Sequence, residues 1–152
     1  MKKEKLFRKY QDLPWGKVIQ VVPFHDIDSM EVAWHGHYIK YFELARCELL
    51  TSINYDYPQM REEGYAWPVV DISARYVKPA RYGEKLEVHA VLLEWEVRLV
   101  IQYFLFSEQS GALLTKGRSV QVPLCVRTGE LEFGCPNHLL ERVEKWRIEN
   151  VA

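Results

Sequence analysis

The sequence lacks the features that mark a secreted, membrane-spanning or zinc-binding protein. Its three cysteines, Cys47, Cys125 and Cys135, are an odd number without the paired spacing of a zinc site. No stretch approaches the roughly 20 consecutive apolar residues of a membrane span. The first residues, MKKEKLFRKY, lack the apolar segment of a signal peptide, and we expect them to be solvated. These absences predict a cytoplasmic protein with reduced thiols, and we expect neither a metal nor a cofactor.

The chain also lacks an excess of charge of either sign. Its 20 Lys and Arg residues nearly balance its 21 Asp and Glu residues, which gives a formal net charge of −1. Because nucleic-acid binding usually requires a basic surface, we do not expect a nucleic-acid partner. The 152 residues are 48% hydrophobic and 27% charged, as in ordinary globular proteins. We therefore predict a single domain over residues 1–152, with its core at about 17–126.

Apolar periodicity predicts one long helix among several strands. Tyr38, Phe42, Ala45, Leu49 and Ile53 recur at helical spacing, which predicts a helix over residues 38–53. The predicted strands cover residues 17–24, 69–79, 85–96, 97–108 and 112–126, and a terminal helix capped by Asn137 covers about 137–149. Consecutive strands joined by tight turns form antiparallel sheets. The predicted fold is therefore α+β, a curved antiparallel sheet of about five strands wrapped around one long central helix.

The loop before the long helix, FHDIDSMEVAWHGHY at residues 24–38, carries the candidate chemistry. Asp28 precedes a turn, and His35 lies where the helix begins. The first N–H groups of a helix have no intrahelical partner and stabilise negative charge, including the oxyanion of an attacked carbonyl. A carboxylate beside them can act as a general base or a nucleophile. This pair of groups is the minimum equipment for hydrolysing a thioester.

Several separated motifs carry a family resemblance. They are Asp26-Ile27-Asp28 after the first strand, Trp34-His35 and Tyr38 at the helix start, Phe42-Glu43-Leu44-Ala45-Arg46 on the helix, and Lys78-Pro79-Ala80-Arg81 after a later strand. This arrangement resembles the 4-hydroxybenzoyl-CoA thioesterase family, which includes acyl-CoA thioester hydrolases. The resemblance implies the hotdog fold over residues 17 to about 126.

The same resemblance implies an activity and a site. The expected enzyme hydrolyses an acyl- or aroyl-CoA, or an acyl-carrier-protein thioester. The family's catalytic carboxylate maps onto Asp28, and the N–H that polarises the thioester carbonyl maps onto His35. The family forms homodimers, or dimers of dimers, with active sites at the shared interface. The substrate contacts that we expect are Trp34, Tyr38, Trp67, Lys78, Arg81 and Arg98.

One position departs from the family pattern, which has a glycine three residues after the catalytic aspartate. Here that position is Glu31, and we expect the backbone freedom of the glycine to have moved to Gly36. The departure keeps a non-catalytic acyl-binding protein open as the alternative function. A hotdog dehydratase is a further alternative, although the stretch around His35 lacks its proline-rich loop. Glu43 is a rival catalytic carboxylate, but its spacing to Arg46 favours an ion pair.

Overall fold

The computed structural model describes residues 3–151, and its elements follow the predicted order. The helices are α1 (Lys3–Lys9), α2 (Tyr38–Ser52), α3 (Tyr57–Glu62) and α4 (Asn137–Asn150). The strands are β1 (Trp15–Val21), β2 (Tyr65–Ala66), β3 (Val69–Tyr76), β4 (Lys85–Glu94), β5 (Leu99–Ser107), β6 (Leu113–Gln121) and β7 (Leu124–Cys125). The long helix predicted from periodicity therefore ends within one residue of its predicted boundary.

Five of the strands form one antiparallel sheet, which confirms the predicted fold class. Their order is β1-β4-β5-β6-β3, so β3 lies at one edge. It pairs with β6, in a register that sets Val69 opposite Gln121 and Tyr76 opposite Thr115, and not with its chain neighbour β4. The connection from β3 to β4 must therefore cross over β6 and β5. This crossing brings residues 77–81 to the start of α2.

The helix α2 packs on the inner face of this sheet and provides much of the core. Phe42 stacks on Tyr103 of β5, with the ring centroids 4.6 Å apart and the rings 13° from parallel. Ala45 and Leu49 are completely buried on the same side of the helix. Close approach to β1 requires Gly16, because a Cβ there would lie 2.2 Å from the backbone nitrogen of Leu49. The C-terminal half of α2 is thereby held close against β1.

The start of the chain differs from the prediction of a solvated segment. Residues 3–9 form α1, and Leu6 is only 2% exposed because it packs on the outer face of the sheet against Val91, Phe104 and Phe106. Lys3 also forms an ion pair with Glu87 of β4. The predicted solvated segment is therefore a short helix with one buried apolar residue. Met1 and Lys2 lie outside the described residues.

The C-terminal part of the chain also differs from the prediction at two places. The strand predicted over residues 112–126 breaks near Pro123, and its last part, β7, pairs with β2 in a separate two-stranded ribbon. The terminal helix begins at Asn137 itself, after Pro136, and no side chain caps it. Among the helices of residues 3–151, none is long and apolar enough to cross a membrane, since the longest, α2, has 15 residues.

Candidate active site

The loop between β1 and α2 is held by a buried aspartate. Asp26 is 1% exposed, and its carboxylate accepts hydrogen bonds from Lys40 Nζ at 2.7 and 2.8 Å and from the Tyr41 hydroxyl at 2.7 Å. Its backbone oxygen accepts the N–H of Trp34 at 2.9 Å. Asp26 therefore ties the start of the loop to its end and to the first turn of α2. These contacts give Asp26 a structural role in the loop.

The charge of Asp26 is stabilised by its partners. Burial alone would raise the pKa of this carboxyl, because a charged group loses its hydration. The hydrogen bonds from Lys40 and Tyr41 and the positive charge of Lys40 act in the opposite direction and outweigh burial, so the pKa is lowered from its ordinary value. Burial raises the pKa of Tyr41, and the hydrogen bond to Asp26 raises it further. At neutral pH the loop is thus anchored by a carboxylate and a neutral phenol.

Asp28 lies two residues further, at the start of a tight turn, and is half-buried. Its Oδ1 accepts the N–H of Met30 at 2.8 Å, and its backbone N–H donates to the oxygen of Val32 at 2.9 Å. Isolated bridges from Ile27 to Ala33 and from Val32 to Arg81 flank the turn. The Oδ2 atom has no hydrogen-bond partner among residues 3–151, so one carboxylate oxygen orients the side chain and the other is free to react.

Glu31 adopts the backbone conformation that a glycine would adopt at this position. Its φ is 63°, in the left-handed region that is unfavourable for residues with a Cβ. The expectation that this freedom had moved to Gly36 is wrong, because the φ of Gly36 is not positive. Gly36 is needed for another reason: a Cβ there would lie 2.1 Å from the ring of Trp34. The turn after Asp28 therefore has the backbone conformation expected for glycine, although Glu31 occupies the position.

His35 begins a short 3₁₀ turn, His35–His37, that leads into α2. Within residues 3–151, no backbone or side-chain acceptor takes its N–H. Its carbonyl oxygen accepts a hydrogen bond of 2.7 Å from the hydroxyl of Tyr76 on β3. The carbonyl oxygen of His35 is thus held by the sheet, whereas its N–H remains available at the positive end of a helix.

A cavity of about 270 Å³ brings four of the predicted site residues together. Asp28, His35, Tyr38 and Lys78 line it, together with Tyr76. The ring of Tyr76 packs edge-on against Tyr38 at 4.9 Å, and the Tyr38 hydroxyl accepts the N–H of Ala80 at 3.2 Å. Burial raises the pKa of Tyr38, so its hydroxyl keeps its proton. The sequence predicts Tyr76 only as a strand residue, because its contact with the His35 turn depends on the tertiary fold.

Two neighbouring predicted contacts lie outside this cavity. Trp34 is 46% exposed, and its ring packs on those of His35 at 4.8 Å and His37 at 5.4 Å. Arg81 pairs through its backbone with Val32, and its exposed side chain lies near the turn that carries Asp28. Trp34 therefore supports the His35 turn from outside, and Arg81 is placed on the rim.

Trp67 and Arg98 are not brought to this cavity within one chain. Trp67 is buried just before β3, and Arg98 lies just before β5, where its guanidinium contacts Glu94 at 3.4 Å. Since Val69 and Leu99 both pair with Gln121, these two residues belong to the end of the sheet opposite Tyr76. The eight residues of β3 separate the two ends by roughly 20 Å.

The rival carboxylate Glu43 forms the ion pair expected from its spacing. Its Oε1 lies 3.1 Å from Arg46, and the glutamate side chain is 56% exposed. It does not line the Asp28 cavity. The contact supports the structural reading of Glu43.

Comparisons with known proteins agree with the sequence motifs. The family model described as the thioesterase-like superfamily matches residues 22–144. The acyl-CoA thioesterase YbgC of Helicobacter pylori is 31% identical over 117 residues, which cover 76% of this chain and 82% of that protein. The range matched by the family model includes the whole loop around Asp28 and the helix α2.

Solved structures share the fold. A DHNA-CoA thioesterase from Staphylococcus aureus superposes with a TM-score of 0.76 at 24% identity, covering 91% of this chain and 96% of that one. A 4-hydroxybenzoyl-CoA thioesterase, complexed with 4-hydroxybenzoyl-CoA, superposes with a TM-score of 0.75 at 17% identity, covering 86% and 99%. These structures confirm the predicted hotdog fold. The predicted family is confirmed by the family model that matches residues 22–144.

Proposed function

Because the chain belongs to the thioesterase-like superfamily, we propose that it hydrolyses the thioester bond of an acyl- or aroyl-CoA at the cavity between Asp28 and His35. The observation that carries this proposal is the shared cavity itself. A carboxylate with one free oxygen and a helix-start N–H without an acceptor line the same space of about 270 Å³. These are the groups that thioester hydrolysis requires.

The chemistry follows from these two groups. The thioester carbonyl oxygen accepts the N–H of His35, which stabilises the negative charge that develops when the carbonyl carbon is attacked. In one route Asp28 takes a proton from water while the water oxygen bonds to that carbon. In the other route an Asp28 oxygen bonds to the carbon directly and forms a mixed anhydride, which water then hydrolyses. Both routes break the carbon–sulfur bond and release the thiolate, which is then protonated.

Basic residues at the cavity suit the phosphates of coenzyme A. Lys78 lines the cavity with an exposed side chain, and its backbone is fixed by a hydrogen bond of 3.0 Å to the oxygen of Leu114. Arg81 lies three residues further, beside the turn of Asp28. Both can contact anionic phosphate oxygens through charge-assisted hydrogen bonds. An acyl-carrier-protein thioester presents a phosphate too, through its phosphopantetheine arm, and is the alternative thiol component.

We infer that two copies form a homodimer through the edge strand β3. The strand is almost wholly exposed, and it carries apolar side chains at Val69, Val70, Ile72 and Tyr76. An exposed edge of this kind is a template for pairing with another strand. Pairing with a second copy about a two-fold axis satisfies its backbone groups and covers its apolar side chains. Further association into a dimer of dimers would use other surfaces.

The proposed location is the cytoplasm. Cys47, Cys125 and Cys135 are all free thiols, at exposed, half-buried and buried positions respectively. Free thiols persist in a reducing compartment. An acyl-CoA substrate belongs to the same compartment.

Incubation of the purified protein with a panel of acyl-CoAs tests the activity. The panel contains short and long aliphatic chains and aroyl groups, and release of free thiol is followed with a chromogenic disulfide. We expect saturable hydrolysis of at least one member. The absence of thiol release from every member, with binding of acyl-CoA retained, would replace this proposal by the acyl-binding function.

A further inference from the structure

The short helix α1 depends on the outer face of the sheet for its stability. Leu6 packs against Phe104 and Phe106, and the ring of Tyr10 packs on that of Phe104 with the centroids 6.0 Å apart. A helix of seven residues is too short to be stable by itself in water. A change that weakens these contacts should therefore release α1 and expose the apolar side chains beneath it.

A buried histidine of β4 lies beneath this helix. His89 is 3% exposed, and its ring lies 5.2, 6.1 and 5.7 Å from the rings of Phe7, Trp15 and Phe106. Its Nε2 lies 3.3 Å from Oε2 of Glu87. Because a carboxylate can only accept, Nε2 carries the hydrogen, and the neutral ring has none on Nδ1. Nδ1 is buried and has no hydrogen-bond partner among residues 3–151.

The carboxylate beside His89 has a second partner, and that partner belongs to α1. Lys3 forms an ion pair with the same Oε2 atom of Glu87. Burial alone would raise the pKa of Glu87, but the hydrogen bonds from Lys3 and His89 outweigh burial and lower it, so the carboxylate is charged at neutral pH. Its single negative charge can balance Lys3 or a protonated His89, but not both. The docking of α1 is therefore linked to the charge of His89.

Protonation of His89 is unfavourable while α1 is docked. The new N–H at Nδ1 would have no acceptor among residues 3–151, and the charge would be buried among aromatic rings. The titratable groups that face the imidazole are Glu87 of β4, Lys3 and Tyr10 of α1, and Lys17 of β1. The strand β5 on the other side has no charged residue. Burial lowers the pKa of His89, and the two lysines lower it further, against the opposite effect of Glu87.

We propose that α1 is released from the outer face of the sheet in mild acid, because protonation of His89 and docking of Lys3 on Glu87 exclude each other. When α1 leaves, water reaches His89 and accepts a hydrogen bond from its Nδ1–H. The ammonium group of Lys3 leaves with the helix, so Glu87 balances the imidazolium alone. The release exposes Phe104 and Phe106, which α1 covers at neutral pH.

The pH range of this release follows from the two states of α1. The pKa of His89 is lowered while α1 is docked, and it returns toward the ordinary value of about 6.5 when α1 leaves. Above that value both states hold a neutral imidazole, so docking is at its strongest. Below it only the undocked state binds a proton, so docking weakens until the pH reaches the lower value of the docked state.

Amide hydrogen exchange of the full-length protein tests the proposal. The opening equilibrium of residues 4–10 is measured from pH 7.5 to pH 5.0, after correction for the intrinsic exchange rate. We expect it to rise below about pH 6.5, by up to about tenfold per pH unit, because one proton is bound on release. Peptides from α2 should show no such rise. Binding of a dye that fluoresces on apolar surfaces should increase over the same range.

Three variants separate His89 from other acid effects. His89→Gln keeps an N–H donor for Glu87 and cannot be protonated, so exchange of its α1 should not depend on pH over this range. His25→Gln removes a histidine whose side chain is 79% exposed, and should behave as the wild-type protein. Lys3→Met should increase the opening of α1 at pH 7.5 and make its pH dependence shallower, because Glu87 is then left to His89.

A wild-type α1 whose exchange does not change between pH 7.5 and pH 5.0 would overturn the proposal. A rise that persists in His89→Gln, or that is unchanged in Lys3→Met, would do the same. If His89→Gln does not fold, an NMR titration of the wild-type protein decides. The ring signals of His89 and the amide signal of Phe7 should then shift together with a midpoint below 6.5, and a ring that titrates while the Phe7 amide stays fixed would contradict the release of α1.

Discussion

Tyr76 and His35, far apart in the sequence, are joined by a hydrogen bond of 2.7 Å from the tyrosine hydroxyl to the histidine carbonyl oxygen. The bond connects the edge strand of the sheet to the turn that begins the central helix. It fixes the plane of the peptide next to the N–H that we assign to the thioester carbonyl. The position of that N–H thus depends on a residue that takes no part in bond making.

Removal of this hydroxyl should reduce catalysis without unfolding the protein. We expect Tyr76→Phe to lower kcat by about tenfold with little change in KM, because a less well-oriented N–H loses stabilisation mainly in the transition state. Steady-state kinetics on the best acyl-CoA check this. Tyr10→Phe, which removes a hydroxyl from a half-buried position near α1, is the matched control. Full activity in Tyr76→Phe would show that the His35 turn needs no support from β3.

The catalytic carboxylate is tested by a substitution that keeps its shape. Asp28→Asn retains the acceptor for the N–H of Met30 but can neither take a proton nor attack, so kcat should drop by about 10²–10⁴-fold. The melting temperature should change little. Glu43→Gln is the control, since Glu43 lies in an exposed ion pair with Arg46. Activity that survives Asp28→Asn but is lost in Glu43→Gln would move the catalytic role to the helix.

Much of the fold follows from local patterns in the sequence. The spacing from Tyr38 to Ile53 predicts α2, because it reflects the face that the helix buries. Alternation from Val70 to Tyr76 predicts β3, although this strand is almost wholly exposed in the single chain. The proximity of Asp28 and His35 is also predictable, because both lie in the loop that joins β1 to α2, and both of these elements are predicted from the sequence. Leu6 was missed because seven residues of helix are too short to show a clear period.

The positions of Trp67 and Arg98 depend on long-range pairing. Within one chain, the pairing of β3 with β6 places them at the end of the sheet opposite Tyr76, and their contact with substrate stays a prediction. Nothing local in either strand specifies its neighbour. The left-handed Glu31 was hidden for a similar reason, because the conformation is imposed by the turn between Asp28 and Val32 and not by the residue itself.

Asp26, the buried carboxylate that anchors the loop, should make the stability of the protein depend on pH. The pKa of Asp26 is lower in the folded than in the unfolded chain, so its contribution is complete above the unfolded value, about 3.9, and is lost as the pH falls through the folded value. We expect Asp26→Asn to lower the free energy of unfolding at pH 7 by about 1–3 kcal/mol. Thermal melts from pH 3 to pH 7 should also show a shallower acid dependence.

The control for this effect is Asp12→Asn, because Asp12 is exposed and lies outside the loop. A parallel loss of activity in Asp26→Asn is expected, since the loop positions Asp28. If Asp26→Asn and Asp12→Asn gave identical melting curves over the whole range, Asp26 would not anchor the loop.

Replacing Glu31 by the glycine of the family pattern should stabilise the protein. Glu31→Gly removes the strain of a Cβ at a φ of 63° and should raise the free energy of unfolding by up to about 1 kcal/mol. Such a change corresponds to an increase in melting temperature of about 2–4 °C. If Glu31 also narrows the entrance, the glycine variant should accept more acyl-CoAs or turn them over faster.

Glu31→Ala separates the two effects of this change. It removes the charge but keeps the Cβ, so its melting temperature should stay near that of the wild-type protein. An equal stability gain in both variants would assign the effect to charge. Identical behaviour of all three proteins across the acyl-CoA panel would make Glu31 a neutral surface residue.

The edge strand β3 should hold the dimer together, and a charge placed on it should separate the copies. Ile72 lies in the middle of β3 and is 38% exposed in the isolated chain, so Ile72→Lys would bury an unpaired charge between two strands. Sedimentation of the wild-type protein should give a species of twice the 18.0 kDa of one chain, and the variant should sediment as the single chain. Because the family resemblance implies active sites at the shared interface, the monomer should also lose most of its activity. Ile19→Lys places the same charge on the opposite edge, in β1, where Ile19 is 44% exposed, and should leave both mass and activity unchanged. A wild-type monomer at micromolar concentration, or dissociation by Ile19→Lys instead of Ile72→Lys, would contradict pairing through β3.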